Sequence, residues 1–176
     1  MHTYIALFRG INIGGNNPLP MRELIGILER LGCKDIRTYI QSGNAVFRTG
    51  NGPAKKLAEA ISSRIEKAHG FKPKVLLLSA AALTKAITNN PFSTADGRAL
   101  HFMFLAARPK QPDLAGLMAI KAKTEQFRLV ANVFYIYAPD GVGRSKLVAK
   151  VESALGVPVT GRNWNTINKL MAMVKS

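Results

Sequence analysis

Apolar positions along this chain switch between strand and helix spacing, and the switches predict its elements. Thr3 to Phe8 (TYIALF) is a short apolar run rich in strand formers, ended by a glycine-bearing loop, and reads as a strand. Met21, Leu24, Ile25, Leu28 and Leu31 then recur at helical spacing. Pro20 opens that segment where a missing N–H does no harm, and Gly32 stops it, so Pro20 to Leu31 is expected to be an amphipathic helix. Ile36 to Gln41 and Asn44 to Thr49 flank Ser42-Gly43, a two-residue link of the kind that closes a hairpin. A second helix from about Pro53 to His69 lines up Leu57, Ala58, Ile61, Ile65 and Ala68, and Val75 to Leu78 reads as a further strand. The order β-α-β-β-α-β is the split βαβ, or ferredoxin-like, arrangement.

Residues 80 to 98 read as a connector, an Ala-rich helix ending at Asn89-Asn90-Pro91-Phe92 and a polar turn through Asp96-Gly97. Leu100 to Ala106 is then expected as a strand, about Asp113 to Lys121 as a helix, and Gln126 to Val130 with Val133 to Tyr137 as a second hairpin. Arg144 to Leu155 reads as a helix, followed by a brief Val157-Pro158-Val159. The final helix, about Asn163 to Val174, places Trp164, Ile167, Leu170, Met171 and Val174 on one stripe. The expected fold is α+β: a ferredoxin-like subdomain over residues 1–79, the connector 80–98, and over 99–176 a related βαββα unit with a C-terminal helix.

Composition narrows the class. The chain has 176 residues, 47% of them hydrophobic, enough for one domain or two small ones. No apolar run approaches the roughly 20 residues of a membrane span, and the N-terminus lacks a secretory pattern; with one cysteine, Cys33, a cytoplasmic location and no membrane partner are expected. The charge is the unusual bulk feature: 25 Lys and Arg against 10 Asp and Glu, a net +15. Residues 1–88 hold 13 basic and 5 acidic groups and residues 89–176 hold 12 and 5, so no tail carries the excess. Two readings stand side by side, a soluble basic surface and a partner that bears phosphate, either nucleic acid or a small molecule.

Candidate chemistry gathers in loops. Arg9 to Asn17 (RGINIGGNN) joins the first strand to the first helix, with glycines and asparagines that can turn backbone N–H groups towards an anion at a helix N-terminus. It is not a phosphate loop of the Walker type, because Asn16-Asn17 stand where Lys and Ser/Thr are required, and the dinucleotide G-x-G-x-x-G pattern is absent. A loop that uses Gly and Asn only for unusual backbone angles is the competing reading. Ferredoxin-like topology brings Gln41-Ser42-Gly43-Asn44 to the same rim, where ordinary turn chemistry competes in turn. Asp140 to Lys146 (DGVGRSK) is a second glycine-rich helix entry, where Arg144 and Lys146 beside the positive helix end suggest a second phosphate contact; the competing reading is that Ser145 only caps the helix while both cations point into solvent. Gly161 to Thr166 (GRNWNT) is a third, with Thr160 or Asn163 as the cap, Arg162 at the positive helix end and the chain's one tryptophan in the first turn. Catalytic machinery is thin: His2, His69 and His101 have no metal-ligand spacing, no nucleophile-elbow motif is present, and no metal or cofactor is expected.

The segments ALFRGINIGGNNPLPMREL, RTYIQSGNAVF, NPF, GRSKL and TGRNWNTINKL resemble, in order and spacing, the bacterial domain of unknown function 1697 family, over residues 3 to 171. The resemblance implies an α+β fold of two subdomains, the first ferredoxin-like, and implies no reaction. The family pattern has a lysine near Pro18 and another near Ser153 that this chain lacks, which counts against a basic group at those places. Carried over residue by residue, it makes Arg9, Asn12, Gly14, Gly15, Gln41, Ser42, Asn44, Ser145, Lys146, Arg162, Asn163, Trp164 and Asn165 candidate ligand-binding residues, in one site or two. The leading functional expectation is binding of nucleic acid or a nucleotide through glycine-rich loops and a basic surface. The RNA-recognition version is weakened because SGNAVFRT lacks the spaced aromatic rings of the stacking motif. A small-molecule enzyme with a polar pocket between the subdomains, and a protein-partner module, are the alternatives; catalytic residues and oligomeric state are left open.

Overall fold

In the computed structural model, which describes residues 1–50 and 52–176, the chain forms two units, Met1–Lys85 with Leu170–Ser176, and Ala86–Lys169. The first unit runs β1 (His2–Arg9), α1 (Met21–Arg30), β2 (Lys34–Tyr39), β3 (Asn44–Thr49), α2 (Ala54–His69) and β4 (Lys74–Ser79). Its sheet has the order β2-β3-β1-β4, antiparallel at every pairing. Period two along β1 sends Ala6 and Phe8 to the helix-covered face, where they join Ala45 and Phe47 of β3 against Leu24, Ile27 and Leu28 of α1 and Ile61 and Ile65 of α2. The opposite face is just as dry: Ile5, Leu7 and Val46 are each no more than 1% exposed. This explains why the first strand reads as a continuous apolar run rather than an alternating one.

The hairpin link differs from expectation. Tyr39 pairs with Asn44, so Gln41 leaves the strand and the link is the four residues Ile40 to Gly43. Ile40 and Gly43 take φ of +52° and +94°, and the Gly43 N–H reaches the Ile40 carbonyl at 3.3 Å. A two-residue link of Ser42-Gly43 would need a positive φ at Ser42; the chain instead places one left-handed residue at each end of a longer link, Ile40 and Gly43. Gly43 has no substitute there, because a Cβ would lie 2.5 Å from Ile11 Cδ1 and 2.8 Å from Phe8 Cβ.

The second unit begins within helix α3 (Ala80–Thr88) and continues through β5 (Leu100–Leu105), α4 (Leu114–Ile120), β6 (Gln126–Val130), β7 (Val133–Tyr137), α5 (Lys146–Leu155) and β8 (Val159–Asn163) into α6 (Trp164–Lys175). Its sheet order, β6-β7-β5-β8, repeats the topology of the first. The expected βαββα unit is therefore completed by a fourth strand, and residues 160–163 are strand rather than the approach to a helix. Val159 pairs with Leu105 and Asn163 with His101. The segment escapes pattern reading because Thr160-Gly161-Arg162-Asn163 has no apolar alternation, and because Gly161 is required by contact: a Cβ there would lie 2.4 Å from Met103 Sδ. Met103, Leu105, Phe134 and Ile136 pack against Leu117, Leu147, Val151 and Leu155 to form the second core. Among the described residues no helix is long and apolar enough to cross a membrane.

Candidate functional site

The sequence-derived candidates fall into two groups, one in each unit. In the first, Arg9 ends β1, and the chain folds into a small hairpin of its own. Ile13 and Asn16 exchange backbone hydrogen bonds at 3.2 and 2.8 Å around Gly14-Gly15, whose φ values of +55° and +80° make a two-residue turn. Asn12 is the clip beneath it. Its Oδ1 accepts from the Leu19 N–H at 2.7 Å, while its Nδ2 donates to the Leu19 carbonyl at 2.9 Å and to the Gln41 carbonyl at 2.8 Å. One amide thus closes the loop and ties it to the 40–43 link, which brings Arg9, Gly14, Gly15, Gln41 and Ser42 to one rim. The N–H groups of Asn12, Ile13, Asn16 and Leu19 are bonded inside the loop, so the segment is self-supporting. Asn44 is fully buried, with its Nδ2 donating to the Tyr39 carbonyl at 3.0 Å across the hairpin. Arg9, Gly14, Gly15, Gln41 and Ser42 are exposed there or nearly so.

In the second unit Ser145 is the cap of α5, its Oγ accepting from the Val148 N–H at 3.1 Å, with Arg144 and Lys146 exposed on either side. Asn163 rather than Thr160 caps α6, its Oδ1 accepting from the Thr166 N–H at 3.0 Å; Thr160 lies in β8 opposite Phe104. Arg162 pairs with Phe102, so its side chain shares the face of that ring. Burial pushes its guanidinium down to about 10, and its Nη1 donates to the Gly161 carbonyl at 2.8 Å. Trp164 stands 5.8 Å from Phe102, which in turn meets Tyr135 edge-on at 4.8 Å. The ring is thus one member of an aromatic cluster, and the Asn165 side chain lies over Gly97, where a Cβ would meet its Oδ1 at 2.0 Å.

Two basic residues missing from the sequence reading sit where chemistry is possible. Lys74 lies directly opposite Arg9 across β1 and β4, a placement that the antiparallel register implies once β4 is started one residue earlier than its apolar run. Arg37 donates to Ser176 Oγ and to the Met173 carbonyl, so it holds the last turn of α6 against β2 within the first unit. No sequence pattern signals a contact between positions so far apart. Cys33 is 4% exposed and its thiol is pushed up to about 11 by burial, which makes it a poor nucleophile. Among the described residues no group of three or more His, Cys, Asp or Glu is placed to hold a metal ion.

These features define an α+β protein of two ferredoxin-like units whose polar loops are built on internal hydrogen bonds. Residues 1–135 match the family described as protein of unknown function DUF1697, and the chain belongs to that family. It is also similar to the solved structure of the conserved bacterial protein SP0830 from Streptococcus pneumoniae, with 26% identity over 98% of both chains and a TM-score of 0.74. No curated protein matches the chain.

Proposed function

We propose that the protein binds a phosphate-bearing ligand, and that the nucleic-acid backbone is the class its surface suits best. The observation that carries this reading is the charge: 25 Lys and Arg against 10 Asp and Glu, with Arg9 set directly opposite Lys74 in the first sheet. Facing like charges destabilise a sheet and are relieved when an anion lies across them. Arg9, Gln41 and Ser42 then form the ligand-facing rim with Lys74, while Asn12 and Asn44 hold its shape. Bases have no open sheet to stack on, since Ile5, Leu7 and Val46 are as buried as Ala6, Phe8 and Phe47 on the other face. Contacts therefore run to phosphates, which favours strong salt dependence and little sequence preference.

The test is anisotropy of a labelled single-stranded oligonucleotide at several salt concentrations, in the native protein and in the Arg9→Gln/Lys74→Gln double variant. Log affinity is expected to fall linearly with log salt, and loss of two phosphate contacts should reduce the slope by about 1.4. No binding at low salt would sink the proposal. A double variant with the native slope would remove the rim from it.

A further inference from the structure

The geometry points to a second site, independent of the rim and at the other end of the same sheet: a groove that takes a small organic oxyanion with an apolar body. A cavity of about 670 Å³ opens along β2 and β3, wholly within the first unit, and this is the size of ordinary small-ligand clefts. Its wall is made by a bulge. The register of β2 on β3 shifts between Lys34 and Arg37, and Asp35 takes a φ of +54°. In a regular strand, consecutive residues point to opposite faces. Here the extra residue sends Ile36 into the helix-covered core and sets Arg37 opposite Val46, on the face from which Arg48 also lines the groove.

The lining divides by chemistry. Arg37 is committed to the end of α6 through Met173 and Ser176, where a cation offsets the negative end of the helix dipole. Arg48 is the group left to a ligand: its side chain is 52% exposed and touches Asp35 at 3.3 Å through one nitrogen only. An exposed ion pair of that kind contributes little, so an incoming oxyanion can take over the guanidinium, with Lys34 opposite it across the strands adding positive potential. Met1 and Val174 supply apolar wall on the same groove.

The experiment is a ¹H–¹⁵N correlation titration of the full chain with phenyl phosphate, phenylacetate and inorganic phosphate, repeated on Arg48→Gln. Saturable shifts confined to residues 34–37, 46–48 and 173–176 are expected with at least one of the two phenyl compounds, and whichever binds more tightly identifies the head group. Arg48→Gln should weaken that binding by about tenfold or more, the scale of one charge-assisted hydrogen bond, while leaving the rest of the spectrum unchanged. Inorganic phosphate producing the same shifts at the same concentration would show surface adhesion of anions and overturn the proposal. So would native affinity in Arg48→Gln, or the absence of localised shifts up to about 10 mM ligand, beyond the range of specific sites. Oligonucleotide binding at the rim is read separately, so either proposal can fail alone.

Discussion

Replacing Gly43 by alanine should damage the first unit far more than replacing Gly15, although both residues have positive φ, +94° and +80°. A Cβ in the left-handed region costs roughly 1–2 kcal/mol at either position. At Gly15 nothing lies within 4 Å of the added atom, so that is the whole penalty. At Gly43 the added atom would fall 2.5 Å from Ile11 Cδ1 and 2.8 Å from Phe8 Cβ. The first neighbour is a side-chain end that is itself fully buried; the second is attached directly to the backbone of β1, whose Phe8 N–H is bonded to the Gly43 carbonyl at 3.0 Å. Neither can swing aside, and overpacking of this kind adds about 1–3 kcal/mol. Gly43→Ala is thus expected to lose roughly 2–5 kcal/mol and Gly15→Ala about 1–2. For a chain of this length, a loss of about 3 kcal/mol lowers the melting temperature by roughly 6–12 °C. The assay is urea unfolding followed by reactivity of Cys33, whose 4% exposure makes it a reporter of the first core, alongside Trp164 fluorescence for the second unit. Two probes also test whether the transition is a single one. Equal losses in the two variants would refute the steric argument and leave backbone strain as the only term.

Two further outcomes follow from individual side chains. Asn12→Ala removes the acceptor of the Leu19 N–H, at a residue that is fully buried, and places alanine at a φ of +51°. A loss of about 2–4 kcal/mol in urea unfolding is expected, with Asn12→Asp intermediate because it keeps that acceptor; a stable Asn12→Ala protein that has lost oligonucleotide affinity would instead make the amide a ligand contact. His101 has a buried Nδ1 with no hydrogen-bond partner among the described residues. Burial holds its imidazole below the ordinary value of 6.5, with the Ala99 backbone acting in the opposite sense. The unfolded chain therefore takes up this proton first as pH falls, so the contribution is fully present above about 6.5 and is lost as pH drops towards the folded value. Urea midpoints of the native protein and His101→Gln at neutral and mildly acid pH check this: the variant should lose less stability on acidification, and an unchanged difference would refute it.

Periodicity alone determined most of the architecture, because burial on a helix face or in a strand leaves a regular trace in the chain. The stripe through Leu24 and Leu28, the run from Tyr4 to Phe8 and both hairpins appear in the structure with shifts of one or two residues at their ends. What the pattern could not show is what depends on contacts between distant positions. Strand β8 is held by pairing with β5 rather than by any apolar alternation of its own, and Gly161 is explained only by the sulfur of Met103 beside it. The same holds for the candidate site. Glycine and asparagine in the Arg9–Asn17 loop announced unusual backbone angles, and five residues at positive φ between Gly10 and Asn17 bear that out. Whether each polar group serves a ligand or the loop itself is a matter of its neighbours. Tertiary structure turned Asn12 and Asn44 inward as clips, made Ser145 and Asn163 caps, and set Lys74 opposite Arg9 and Arg37 on the end of α6. A hydrogen bond spans only about 3 Å, so these roles follow from which segments the fold brings together, and local sequence carries no record of that.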